Sequence, residues 1–162
     1  MKLLTRASPE ESAEHAKYLT EKTDVPWYGA LLRDGKAVAW NAELESREEL
    51  GSTSTIFKNL GDIYASAEVG RRRFLVEEAF DVWRRARDLD AEKFARLEAI
   101  VVAERKGKLI DRRVTLAVTV GGTMVVDGNK RSIAIHKVGS TVVLPIYLLK
   151  APPGKPPLPE AA

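Results

Sequence analysis

The sequence predicts an α+β fold built as a single domain over residues 1–150. Three observations carry this. Residues 74–87 and 91–106 place apolar side chains at helical spacing. Residues 114–120 and 141–149 change to β-branched, strand-like runs. The elements then follow in irregular order, not as a regular strand–helix alternation, which is the α+β pattern. A chain of 162 residues with 44% apolar and 30% charged residues is large enough to bury a real core.

Ser8-Pro9-Glu10-Glu11 opens a first helix: Ser8 caps, Pro9 takes the first helical position and Glu11 completes a capping box. This helix runs to about Lys22 with a thin apolar face of Ala13, Ala16 and Leu19, so a surface position is expected. Asp24-Val25-Pro26 breaks it. Residues 27–32 read as a strand, Asp34-Gly35 as a hairpin turn and residues 37–40 as the return strand. Residues 42–50 are acidic and suit a short helix or a loop, and residues 51–55 form a hydroxyl-rich loop. Residues 56–69 lean helical with a break at Gly61.

The helix 74–87 uses Leu75, Ala79, Val82 and either Phe80 or Trp83. Asp90 caps the next helix, whose face holds Phe94, Leu97, Ile100 and Val101 and which ends near Gly107. Residues 114–120 are a strand, Gly121-Gly122 a turn, and residues 124–126 the returning strand. A short helix over 130–138 stops at Gly139, followed by a final strand over 141–149 that is broken or at an edge near Pro145. Residues 151–162 carry five of the eight prolines and are expected to be a disordered or polyproline-like tail.

Composition removes several chemistries. With no cysteine, disulfides, thiolate metal sites and cysteine nucleophiles are excluded. With only His15 and His136, a multi-histidine metal site is not available. A net charge of +3 permits nucleic-acid binding without demanding it. No window approaches a membrane span, and the apolar part of the first six residues is too short for a signal peptide, so a cytoplasmic protein with no membrane partner is expected.

The most informative segment is Val125-Val126-Asp127-Gly128-Asn129-Lys130-Arg131-Ser132-Ile133-Ala134. A strand meets a glycine turn, and the helix that follows begins with two cations. The start of a helix is the positive end of its dipole, so Lys130 and Arg131 there cost about 0.3–1 kcal/mol each unless something negative sits between them. Backbone N–H groups together with two cations suit a phosphate or a carboxylate. The alternative is ordinary turn chemistry with solvated cations.

This segment, with the Gly-ended helix and the strand Val142-Val143-Leu144-Pro145-Ile146-Tyr147 after it, resembles the ParB/sulfiredoxin-like family. Gly128, Arg131 and Ala134 stand where that family has its turn glycine, its arginine and a small residue. The resemblance covers residues 90–149; residues 1–89 do not align. It implies a mixed sheet with helices and a site for the phosphates of ATP, ADP or CTP. Asp127, Gly128, Asn129, Lys130, Arg131 and Ser132 would then be the binding residues, and phosphoryl transfer or nucleotide hydrolysis with Mg²⁺ the expected use. Sulfiredoxin chemistry is excluded, because Asn129 occupies the place of its cysteine. A free serine kinase built on the same fold has an Asp before its glycine turn, as Asp127 is here, which points to a small-molecule hydroxyl acceptor. A Fic-type loop has a His four residues before the Asp, and here that residue is Thr123.

Other features have weaker claims. Glu43 and Glu45, with Glu48 and Glu49, are candidates for a catalytic carboxylate, and Ser52, Thr53, Ser54 and Thr55 for extra phosphate contacts. The alternative is a solvated acidic helix with a Ser/Thr cap. Asp127 ligates Mg²⁺, offsets Lys130 and Arg131, or simply fits the turn. Arg71, Arg72, Arg73, Arg84, Arg85 and Arg87 could make a DNA-binding patch or nuclease-like module, although Glu77, Glu78 and Asp81 interleave them as in a salt-bridged helix face. His136 could face the site, and Trp27, Trp40 and Trp83 are expected in the core. A third reading is a non-catalytic scaffold whose proline tail binds a partner.

Overall fold

The computed structural model describes residues 1–23, 25–55, 59–60, 63–64, 73–85, 91–109, 112–119, 122–139 and 144–150. In chain order the elements are β1 (Lys2–Arg6), α1 (Pro9–Lys22), α2 (Pro26–Arg33), β2 (Val38–Leu44), α3 (Arg47–Gly51), β3 (Asn59–Leu60), β4 (Ile63–Tyr64) and α4 (Val76–Arg85). Then follow α5 (Ala91–Arg105), β5 (Val114–Thr119), β6 (Gly122–Asp127), α6 (Asn129–Val138) and β7 (Leu144–Lys150). This is the expected α+β class. The Asp90 cap, the Gly121 half of the turn, Arg71, Arg72, Arg87 and the tail 151–162 lie outside the described residues.

One five-stranded mixed sheet, in the order β1-β2-β7-β5-β6, forms the middle layer. Only the β7–β5 pair is parallel; β1–β2, β2–β7 and β5–β6 are antiparallel. Alternation along the strands sends side chains to opposite faces. Ala42, Leu44, Val114, Leu116, Val125, Ile146 and Leu148 join one core with α3, α4, α5 and α6. Ala39, Ala117, Met124, Val126 and Leu149 join a second core with α1 and α2. Apart from the exposed edge strand β1, the sheet is therefore packed on both faces, which explains why its central strands read as largely apolar runs.

Several helices form as their sequences dictate. In α1, Ser8 Oγ accepts from the Glu11 amide and the Glu11 carboxylate accepts from the Ser8 amide, each at 3.1 Å. In α5, Phe94, Leu97 and Val101 are buried along one stripe, as expected. The α4 stripe is Val76, Ala79, Val82 and Trp83, so the helix starts two residues later than expected, with Glu78 accepting from the Leu75 amide at 2.8 Å.

Four expectations need correction. Residues 27–32 are not a strand but lie in helix α2. A six-residue apolar run does not reveal its period; Pro26 at the first turn and the i, i+4 pair Tyr28 and Leu32, both buried, resolve it toward helix. Gly29 lets α2 lie against α1: a Cβ there would stand 2.3 Å from Thr20 Oγ1 and 2.6 Å from the Ala16 carbonyl. The strand after Gly35 consequently has no hairpin partner at 27–32 and pairs with β1 and β7 instead. Within 56–69, residues 59–60 and 63–64 are a short antiparallel hairpin and not helix, and the rest lies outside the described residues. Finally, β7 is interior, not an edge. Pro145 is tolerated because it is the second residue of the strand and pairing with β5 begins only at Ile146. The edge strand β1 was not anticipated, because all five of its residues are exposed and carry no alternation.

Candidate functional site at the sheet end

β6 delivers its last residue, Asp127, to one end of the sheet, and α6 begins two residues later. Gly128 makes that reversal with φ of +83°, a left-handed conformation that costs most side chains about 1–2 kcal/mol. The space is also tight, since a Cβ on Gly128 would lie 3.0 Å from Val114 Cγ1. Gly128 is the N-cap of α6 and supplies no side-chain cap, and the first turn holds no acidic residue. Gly139 closes the helix in the same left-handed conformation, as the sequence predicts.

The two cations find different partners. Arg131 Nη2 donates to Asp127 Oδ2 at 3.2 Å, and both side chains are 18% exposed. The guanidinium also folds back over the glycine, with Nη2 and Nε at 3.1 and 3.3 Å from the position of a Gly128 Cβ. Asp127 therefore offsets the misplaced charge on Arg131, one of the three roles expected of it. Lys130 instead directs Nζ over the Trp83 ring, 5.9 Å from its centroid, at the outer limit of a cation–π contact. Asn129 is buried. Ser132 is 0% exposed, and its Oγ has no hydrogen-bond partner among the described residues.

The candidate carboxylates lie elsewhere. Strands β2 and β6 run in the same direction, so Glu43 and Asp127 reach the same end of the sheet. Three strand spacings separate them, however, or about 14 Å. Glu43 stands opposite Lys2 and Pro145. Glu45 is 57% exposed and lies 3.6 Å from the Met1 amine, which Glu49 holds at 2.6 Å. The amine's pKa is raised, chiefly by the hydrogen bond to Glu49. The hydroxyl loop serves α3 and the backbone: Ser52 and Thr53 donate to the Glu49 carbonyl and Thr55 to the Phe74 carbonyl.

His136 lies on α6 beyond the first turn and packs at α3, where a Gly51 Cβ would meet its Nε2 at 2.8 Å. Its pKa is lowered by burial first and by Arg47 second, partly countered by Glu77 and Glu48. In the arginine-rich region, Arg73 is buried and Arg84 pairs with Asp81 at 3.0 Å. Trp83 is in the core as expected, and Trp27 and Trp40 are packed against it in part.

A polar feature on the opposite face was not singled out from the sequence. Thr5, Asn41, Tyr147, Thr115 and Asp127 occupy one continuous cross-strand row. Helix α1 covers this row: Glu11 accepts from Asn41 Nδ2 at 3.2 Å, and His15 Nε2 meets Thr115 Oγ1 at 3.1 Å. The His15 ring stacks on Tyr147 with centroids 4.1 Å apart, and Arg113 donates to the Tyr147 hydroxyl at 2.7 Å. Burial, then the Arg113 charge, lowers the His15 pKa to about 4, so the ring is neutral near pH 7. The available signal was a polar residue with an apolar neighbour on each side in three strands: Asn41 in β2, Thr115 in β5 and Tyr147 in β7. Thr115 is 2% exposed, so the His15–Thr115 pair ties α1 to the sheet and offers no accessible nucleophile.

Fold and site together define an α+β protein with a sheet packed on both faces and, at one end of that sheet, a glycine-capped helix start whose second and third residues are cations. Comparisons with known protein families, with curated proteins and with solved structures find no match. Among the described residues, no helix is long and apolar enough to cross a membrane. Among the same residues, no group of three or more His, Asp or Glu side chains is placed to hold a metal ion.

Proposed function

We propose that the chain binds the phosphates of a nucleotide, ATP, ADP or CTP, at the 127–132 turn and uses them in phosphoryl transfer or hydrolysis. The observation that carries this reading is the start of α6: a left-handed glycine cap with no side-chain cap, then Asn129, and then Lys130 and Arg131 within the first turn. Helix N–H groups and two cations match a phosphate in both charge and hydrogen-bonding sense. The resemblance to ParB/sulfiredoxin-like proteins at Gly128, Arg131 and Ala134 supports the same ligand.

Mg²⁺ binds through one or two carboxylates plus phosphate oxygens, so a single carboxylate beside the phosphates is an adequate protein contribution. Asp127 fits that part. A bound Mg²⁺ would neutralise developing charge on the transferred phosphoryl group. Glu43, about 14 Å across the sheet, and Glu45, which lies by the Met1 amine, are poor candidates for acting on a phosphate held at α6, and Asp127 is the better one.

Calorimetric titration with ATP, ADP and CTP, each with and without Mg²⁺, tests the reading. Wild type should bind at least one of them, and Arg131→Ala should lose that binding. Unchanged affinity in the variant removes the site assignment. The preferred nucleotide separates a kinase-like use from a CTP-dependent one.

A further inference from the structure

Arg131 does double service in this reading, because the residue that would grip a phosphate already grips a carboxylate. Its partner Asp127 is four residues back, across the glycine turn, and both side chains are mostly buried. The guanidinium lies over Gly128, above the first turn of α6. Beneath that turn, Ser132 is fully buried with its Oγ unpartnered among the described residues. Ser132 is the fourth residue of α6, within one turn of its start. The helix start thus holds a buried hydroxyl with no partner among the described residues, while Asp127 is paired with Arg131.

We infer that Asp127 is an internal competitor for the phosphate: a clasp that occupies Arg131 in the free protein and must release it when an anion binds. The inference rests on the phosphate reading of this turn. Both the carboxylate and a phosphate seek the same guanidinium edge at the positive end of the same helix. The Asp127 negative charge also opposes an anion arriving beside it. Ligand binding then exchanges one partner for another on Arg131, and the free site is held closed by about the strength of a partly exposed ion pair.

The test is titration of the full chain with inorganic pyrophosphate in the presence of a metal chelator, by calorimetry. Asp127→Asn keeps size and shape and removes the competing charge. It should bind pyrophosphate about fivefold more tightly than wild type, equivalent to about 1 kcal/mol. Asp81→Asn, on α4, removes the same charge without touching Arg131 and should change affinity by less than about twofold on the same scale. Asp127→Ala guards against a folding defect peculiar to the amide and should tighten binding in the same direction.

Weaker or unchanged binding in both Asp127 variants overturns the clasp. Equal tightening in Asp81→Asn also overturns it, since general charge then explains the gain. If wild type binds and Arg131→Ala does not, yet the Asp127 variants show no gain, the clasp falls while the phosphate reading stands. If neither wild type nor the Asp127 variants bind pyrophosphate, both fall together.

Discussion

Acid should weaken this fold through one side chain, and the effect can be isolated. His15 is 8% exposed between α1 and the sheet, bonded to Thr115 and stacked on Tyr147. Its pKa is lowered from 6.5 to about 4, by burial first and by Arg113 second. Between those two values the unfolded chain binds a proton that the folded chain refuses. Stability is therefore intact above about pH 6.5, falls as pH drops through the window, and stops falling below about pH 4. A difference of about 2.5 units corresponds to about 3 kcal/mol when complete, and to about 2 kcal/mol between pH 7 and pH 4.5.

The perturbation is His15→Gln, which retains a polar group facing Thr115 but does not titrate. Urea unfolding of both proteins at pH 7 and pH 4.5 gives four free energies. Wild type should lose about 2 kcal/mol more than the variant over that interval. Glu11 titrates nearby with a lowered pKa, owing first to its hydrogen bond from the Ser8 amide, and so also loses stability in acid. It is present in both proteins and drops out of the difference. Parallel pH dependences for the two proteins would refute a buried, neutral His15.

Other perturbations probe the packing that sets the site. Gly128→Ala forces a side chain into a left-handed backbone 3.0 Å from Val114, and should cost about 1–2 kcal/mol by denaturant unfolding. Gly29→Ala should cost about 1–3 kcal/mol by the same measurement, because its Cβ meets the α1 backbone. Leu97→Ala, at 0% exposure in α5, should cost about 2–5 kcal/mol. Glu104→Ala removes the buried partner that holds Arg112 at 2.8 Å and should cost about 1–3 kcal/mol, visible as a lowered melting temperature.

What could be read from the sequence was local. The capping box of α1 and the glycine that ends α6 involve residues three or four apart, and both appear in the structure. The strand–turn–helix order around Gly128 was legible for the same reason. Failures came where tertiary partners decide. Residues 27–32 become helix because α1 offers a surface that only a glycine-bearing helix can approach. Pro145 looked like an edge signal, yet its position near the strand start is compatible with a central strand.

The site divides in the same way. Asp127, Gly128, Lys130 and Arg131 lie within five consecutive residues, so their convergence followed from the sequence alone. The partner of Arg131 did not: Asp127 had three open roles, and only the structure places its carboxylate 3.2 Å from the Arg131 guanidinium. Glu43 and Glu45 could be grouped with the turn only by supposing a spatial neighbourhood, and strand order places two strands between them. The His15–Thr115–Tyr147 network joins residues about a hundred positions apart and was not accessible to local pattern.

The most direct measurement is a two-dimensional amide NMR titration of the folded, isotope-labelled chain with ADP, with and without Mg²⁺. Phosphate seated at the helix start should move the amides of Asn129, Lys130, Arg131 and Ser132 first and most, with those of Glu43 and Glu45 nearly still. Largest shifts elsewhere, or none at millimolar ADP, would contradict phosphate binding at this turn.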